Sequence, residues 1–216
     1  MLLVHGFPES WYSWRHQLSA LAEGGYRAVA MDVRGYGGSA APAAIDAYSM
    51  RNLAAHIVGV LDALGEQTAA LIGHDWGAAI VWQCALLYPE RFHAVAALSV
   101  PFSPRAPTLP TAQFKQAFQD NFFYILYFQK PDIAEAELEA DVRDSLRRLL
   151  YAASGDAPSG AFLPRKMKGA TLLDGLPAPE GVISWLTPAG LDYYVAEFTR
   201  TGFRGGLNRY RNMDLD

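Results

Sequence analysis

Ala69-Ala70-Leu71-Ile72-Gly73-His74-Asp75-Trp76-Gly77-Ala78-Ala79-Ile80 is the stretch on which the fold turns. The first four residues read as a short buried strand, and the apolar run up to Tyr88 reads as a helix that Pro89 helps to end. So abrupt a passage from strand to helix needs small residues where the two backbones approach, and Gly73 and Gly77 supply them. Asp75 stands at the point of the turn, where an Asx residue tolerates unusual φ and ψ better than a β-branched one. A helix N-terminus directly behind it is expected to favour the carboxylate, which is the nucleophilic form. An ordinary N-cap aspartate would look the same from this stretch alone.

Strand and helix signals alternate on either side. Leu2-Leu3-Val4-His5 reads as a strand, Ser10 to about Glu23 as a helix stopped by Gly24-Gly25, and Arg27 to Val33 as a second strand. That strand leads into the turn-rich Arg34-Gly35-Tyr36-Gly37-Gly38-Ser39. Ser49 is placed to cap a helix with Leu53, Ile57, Leu61 and Leu64 on one face and Gly65 just past its end. Val95 to Val100 is a further strand. Strands returned by helix-length crossovers pair in parallel, and a parallel sheet covered on both faces accounts for uniformly apolar strands. The fold class expected for residues 1–100 is therefore a three-layer α/β core.

The pattern changes after Pro101. Pro104, Pro107 and Pro110 crowd a short linker and strand signals stop. Asp132-x-x-Glu135 suggests a capping box that opens one helix with Leu138, Val142, Leu146 and Leu149 on one face. Its acids (Glu135, Glu137, Glu139, Asp141) come first and its arginines (Arg143, Arg147, Arg148) last, matching the helix dipole. After a loop rich in Pro and Gly, Thr187 starts a helix through Phe198. Residues 101–216 are expected to form a helical cap over the core.

Composition narrows the functional classes. The net charge is −4 at pH 7, which points to neither a nucleic acid nor an anionic membrane as partner. The short basic run Arg165-Lys166-Met167-Lys168 reads as a solvated loop. Cys84 is the single cysteine, so it has no intrachain disulfide partner, and an inert buried thiol is expected. No metal site or cofactor is expected. The opening Met-Leu-Leu-Val-His-Gly lacks the features of a signal peptide and no apolar run is long enough to cross a bilayer, so a cytoplasmic location is the expectation.

A second motif bears on Asp75. His5-Gly6-Phe7-Pro8 follows the first strand, so the backbone N–H groups of Phe7 and Trp76 could converge on an oxyanion forming beside Asp75. His5 and His74 are candidate bases, but each adjoins a motif glycine in a packed turn. Three core motifs, His5-Gly6-Phe7-Pro8-Glu9-Ser10-Trp11, Arg34-Gly35-Tyr36-Gly37 and Gly73-His74-Asp75-Trp76-Gly77, resemble the soluble epoxide hydrolases of the α/β-hydrolase fold in content and order. Two later segments, Tyr124-Ile125-Leu126-Tyr127-Phe128-Gln129-Lys130-Pro131 and Gly202 to Asn212, resemble that family's two tyrosine segments.

The resemblance implies a small apolar epoxide as substrate and Asp75 as the attacking carboxylate. It implies that Tyr124 and Tyr210 hold and protonate the epoxide oxygen. A phenol suits that task, being neutral at pH 7 yet acidic enough to release its proton late in ring opening. Tyr127, three residues from Tyr124, is the competing assignment, and Ile125 stands where some members carry a polar residue, a change expected to alter the substrate pocket.

The same resemblance requires a His–acid pair after the cap to hydrolyse the ester. The histidines here are His5, His16, His56, His74 and His93, and Asp214 and Asp216 follow Tyr210 too closely to serve as that acid. A core truncated at both ends is therefore expected, with both sheet edges open and at most one turnover. A haloalkane dehalogenase also uses an aspartate elbow, but the Phe7-Pro8 loop and the two tyrosines argue against it. A fluoroacetate-type dehalogenase would carry Arg in place of Trp76, and Asp75 itself excludes a serine esterase. A non-catalytic remnant is the remaining alternative.

Overall fold

The structure is a computed structural model that describes residues 1–216. It divides into two compact units, Met1–Arg105 with Leu215–Asp216, and Ala106–Asp214.

The first unit is built on a four-stranded parallel sheet. Its strands are β1 (Leu2–Val4), β2 (Val29–Met31), β3 (Ala69–His74) and β4 (Phe92–Leu98), in the spatial order β2-β1-β3-β4. Central β1 is buried along its whole length, as a parallel strand covered on both faces must be. Uniform burial was too broad an expectation. β4 starts at Phe92, earlier than its apolar run suggested, and most of its residues face solvent, with Leu98 44% exposed. Its position at the sheet edge is the reason, since only one neighbouring strand lies beside it.

The crossover helices are α1 (Arg15–Glu23), α2 (Met50–Ala63) and α3 (Trp76–Leu87). Ser10 caps a short 3-10 turn, Trp11–Trp14, through a bond from the Tyr12 N–H, so the expected long helix starts only at Arg15. α2 follows its sequence closely. Ser49 Oγ accepts the Asn52 N–H, Leu53, Ile57 and Leu61 are buried, and Gly65 takes a left-handed φ of 72°. Burying each of those side chains stabilises the unit by about 1.5–3 kcal/mol. Met50 N–H, at the start of α2, donates to Asp216 Oδ1 at 2.9 Å. Cys84 is buried in α3, and burial pushes its thiol up to about 12.

The second unit is helical. Its elements are α4 (Pro110–Phe118), α5 (Tyr124–Phe128), α6 (Ile133–Ala140), α7 (Val142–Ala152), α8 (Pro188–Thr201) and α9 (Arg204–Arg211). Thr187 caps α8 as its sequence suggests. Asp214 caps α4, taking both the N–H and the hydroxyl of Thr111.

The segment read as one helix from Asp132 is two. Asp141 adopts an extended backbone (φ −145°, ψ 92°) between α6 and α7, and its carboxylate caps α7 by accepting the Asp144 N–H. The expected capping box is absent, because Asp132 sits in the left-handed region and makes no cap bond. Its acids and arginines bind neighbouring segments rather than complement a dipole. Glu137 accepts the N–H groups of Leu172 and Leu173, and Glu139 accepts that of Phe203. Arg147 and Arg148 donate to carbonyls between Leu173 and Gly181. Lys166, read from sequence as solvated, donates instead to the carbonyls of Thr171 and Leu172.

The centre of the unit is ionic. Glu135 and Arg211 are both buried and form a two-point pair, with Nη1 to Oε1 at 2.7 Å and Nη2 to Oε2 at 3.0 Å. Arg211 also donates to the carbonyl of Phe128 at 2.9 Å and to Asn208 Oδ1 at 2.8 Å, so one guanidinium joins α5, α6 and α9. Replacing Arg211 by Met leaves Glu135 buried without its partner and should lower stability by about 3–5 kcal/mol in denaturant unfolding. Adding Glu135→Leu to Arg211→Met should recover most of that loss; a double variant no more stable than the single one would contradict this reading.

Candidate active site

Asp75 lies between β3 and α3 with φ 54° and ψ −122°, a conformation that costs a non-glycine residue on the order of 1–3 kcal/mol. The turn is this sharp because its glycines let the chain close up. A Cβ on Gly73 would overlap the Gly77 carbonyl, one on Gly77 would overlap that of Val4, and one on Gly6 would overlap Asp75 itself. As N-cap of α3, Asp75 makes no side-chain cap bond of the ordinary kind, so plain capping does not account for its placement.

Its carboxylate faces the loop after β1. Phe7 N–H donates to Asp75 Oδ1 at 2.8 Å, and the Trp76 N–H bonds the same carboxylate. The structure therefore brings Phe7, which is 68 residues away in sequence, to Asp75 and its neighbour Trp76. The N–H groups favour the ionised form, as a helix N-terminus was expected to, but they do not set the net direction of the pKa. Burial outweighs the two N–H groups and holds the Asp75 carboxyl above its ordinary range; Glu9 pushes it further up and His74 pulls it down.

Two neighbours were missed by sequence reasoning. Glu9 Oε1 lies 3.0 Å from His74 Nδ1 and Glu9 Oε2 accepts the Gly6 N–H, so a His–Glu pair adjoins Asp75. The bond from Glu9 raises the His74 pKa against the effect of burial, and His74 holds the Glu9 carboxyl below its usual range although burial acts the other way. Asp32 accepts the N–H groups of Trp11 and Gly38, folding the Arg34–Ser39 turn back on the loop. Glu9 and Asp32 stood inside the quoted motifs or beside them, but nothing in the spacing marked them as partners. His5 is structural. It is buried, its Nε2 accepts the Val33 N–H at 3.0 Å, Tyr36 packs edge-on against its ring, and burial lowers its pKa.

In the helical unit, Tyr124 begins α5 and Tyr210 lies in α9, with ring centroids 6.0 Å apart. Phe128 packs edge-on against both rings, and Gln129 Nε2 donates to the carbonyls of Ile125 and Tyr210, tying the two helices together. Tyr127 is otherwise engaged, since its hydroxyl donates to Glu137 Oε2 at 2.8 Å. Ile125 is buried.

Residues 1–152 match the family model described as the alpha/beta hydrolase fold. The chain is 50% identical to epoxide hydrolase A of Mycobacterium tuberculosis over 99% of its own length and 67% of that protein. The chain belongs to the α/β-hydrolase fold family, on its epoxide hydrolase branch. Solved structures agree. Epoxide hydrolase A from Mycobacterium thermoresistibile is 54% identical with a TM-score of 0.93, and an epoxide hydrolase from an endophytic Streptomyces is 52% identical with a TM-score of 0.94. These matches cover 99% and 100% of this chain and 67% and 66% of those structures, so this epoxide-hydrolase-type chain spans about two thirds of the length of such relatives.

The Glu9–His74 pair gives a pH signature. Glu9, with its pKa depressed from 4.5, stabilises the fold above that pH and loses the effect as pH falls; His74, raised from 6.5, stabilises it below that pH and loses the effect as pH rises through its raised value. The melting-temperature difference between the parent and Glu9→Gln should therefore be largest between about pH 4.5 and 6.5. A difference flat from acid to alkaline pH would rule out a charged pair.

Proposed function

We propose that Asp75 opens a small apolar epoxide by nucleophilic attack and that Tyr124 and Tyr210 receive the epoxide oxygen. The observation that carries this reading is the Asp75 carboxylate on a strained turn, held by the Phe7 and Trp76 N–H groups. A carboxylate oxygen attacks an epoxide carbon and the ring C–O bond breaks. The electron pair goes to the epoxide oxygen, which takes a proton from a tyrosine hydroxyl. The product is an Asp75 ester with a free β-hydroxyl. The Oδ1 atom that Phe7 holds is then placed to become the ester carbonyl oxygen, whose charge in a later tetrahedral intermediate the same N–H groups would stabilise. The tyrosine pair supports an epoxide over a halide, because an alkoxide needs a proton donor whereas halide leaves as a stable anion.

Intact mass spectrometry after exposure to styrene oxide should show one adduct, absent from Asp75→Asn. Tyr124→Phe and Tyr210→Phe should each slow adduct formation with the epoxide more than with an alkyl halide. An adduct that survives Asp75→Asn, or equal slowing with both reagents, would sink the assignment.

Water must then attack the ester carbonyl to release the diol, a step to which a general base contributes about 10²- to 10⁴-fold. No histidine follows His93 in these 216 residues, so we infer that the ester persists in this polypeptide. Diol release by the purified 216-residue chain should stop at one equivalent per folded molecule. Sustained turnover would contradict this and direct attention to His74, beside Asp75.

A further inference from the structure

A cavity of about 380 Å³ lies wholly within the helical unit, with Tyr124 in its wall. Phe118, Phe122, Phe123, Phe162 and Leu163 supply most of the remaining apolar lining, and no aspartate or glutamate lines it. Its size is within the range that encloses small organic ligands. Most of its aromatic walls are pinned. Phe123 stacks on Phe118 with centroids 3.9 Å apart and packs against Phe114 at 4.9 Å. Phe122 donates its N–H to the Lys166 carbonyl at 2.8 Å, and the Lys166 ammonium sits over its ring at 4.3 Å.

Phe162 differs from these walls. It lies in the helix-free segment between α7 and α8, in a turn closed by the Leu163 N–H on the Gly160 carbonyl. It is 38% exposed, and its ring meets Tyr124 edge-on with centroids 5.7 Å apart. It thus lies outside every helix, so a single side-chain change can remove this wall without disturbing one.

We propose that Phe162 is a specificity-determining residue, and that the cavity it lines together with Tyr124 takes the aryl substituent of an epoxide whose oxygen is held at Tyr124. The inference rests on the role given above to Tyr124. Ring edges and faces at these separations recognise another ring by edge-to-face or offset contact, which a short alkyl group cannot make. A lining with two cations, Arg165 and Lys166, and no acid selects neutral or anionic aryl groups over ammonium-bearing ones.

The test uses the 216-residue chain and two readouts. Adduct formation at Asp75 is timed with styrene oxide and with propylene oxide, and equilibrium binding of 1-phenyl-1,2-ethanediol is measured separately. Phe162→Ala should lower the styrene oxide to propylene oxide rate ratio about 5- to 30-fold and weaken diol binding to a similar extent. Phe162→Leu, which keeps apolar bulk without the ring, should fall between the parent and Phe162→Ala in both. A ratio and a diol affinity that stay within twofold in Phe162→Ala would overturn the proposal, as would equal slowing with both epoxides. Should no adduct form with either epoxide, the role of Asp75 fails. The diol measurement then still decides the cavity, since unweakened binding in Phe162→Ala would overturn it and weakened binding would support it.

Discussion

The sheet-bearing unit depends on one close approach, where the chain leaving β1 passes the first turn of α3 with no room for side chains. Gly77 backs onto the carbonyls of Val4 and His5, Gly73 onto the backbone of Gly77, and Gly6 onto the Asp75 side chain. Removing three Cβ atoms lets strand, loop and helix close around Asp75 and forces its backbone to φ 54°. The strain is offset by the surrounding packing and by the N–H groups of Phe7 and Trp76, which reach the carboxylate only because the chain is this compact. Geometry and electrostatics at this point have one cause. The burial that brings the donors into place also raises the Asp75 pKa, so the carboxylate is held against a desolvation penalty rather than stabilised outright.

The helical unit is organised by charge. α9 carries Asn208, Arg209 and Arg211 as buried residues, an arrangement that would be costly without partners. Glu135 meets Arg211 at two points, and the remaining Arg211 donors go to Asn208 and to carbonyls at the end of α5. Gln129 adds a second tie between α5 and α9. Tyr124 and Tyr210 sit on the two helices so joined, so the spacing of their rings follows from the buried ion pair and the amide beside it. Apolar packing alone, with Phe128 against both rings, would leave the register of α9 less defined.

Much of the sheet-bearing unit was legible in the sequence because its signals are local. Alternating apolar strands and amphipathic helices imply parallel pairing, Ser49 and Gly65 mark both ends of α2, and two glycines around an aspartate mark the elbow. The helical unit was less legible. Glu135, Glu137 and Glu139 look like the charged face of a helix N-terminus, yet each reaches a different segment 30 or more residues away. Residue spacing along one helix carries no information about partners that distant. Asp141 illustrates the same point, since its extended backbone interrupts a hydrophobic stripe that continues unbroken in the sequence.

The sequence by itself determined the parallel α/β class and the strand–turn–helix around Asp75, because each depends on residue types in short order, whereas the two tyrosine segments were singled out by family resemblance. The tertiary structure decided what those residues meet: Glu9 beside His74, Asp32 beneath the turn, His5 locked as a backbone acceptor, and Tyr127 drawn away by Glu137. It also decided the direction of the Asp75 pKa. A helix N-terminus read from sequence favours the anion, but the loss of solvent around Asp75 exists only once β1, β3 and α3 have closed on one another, and that loss is the larger effect.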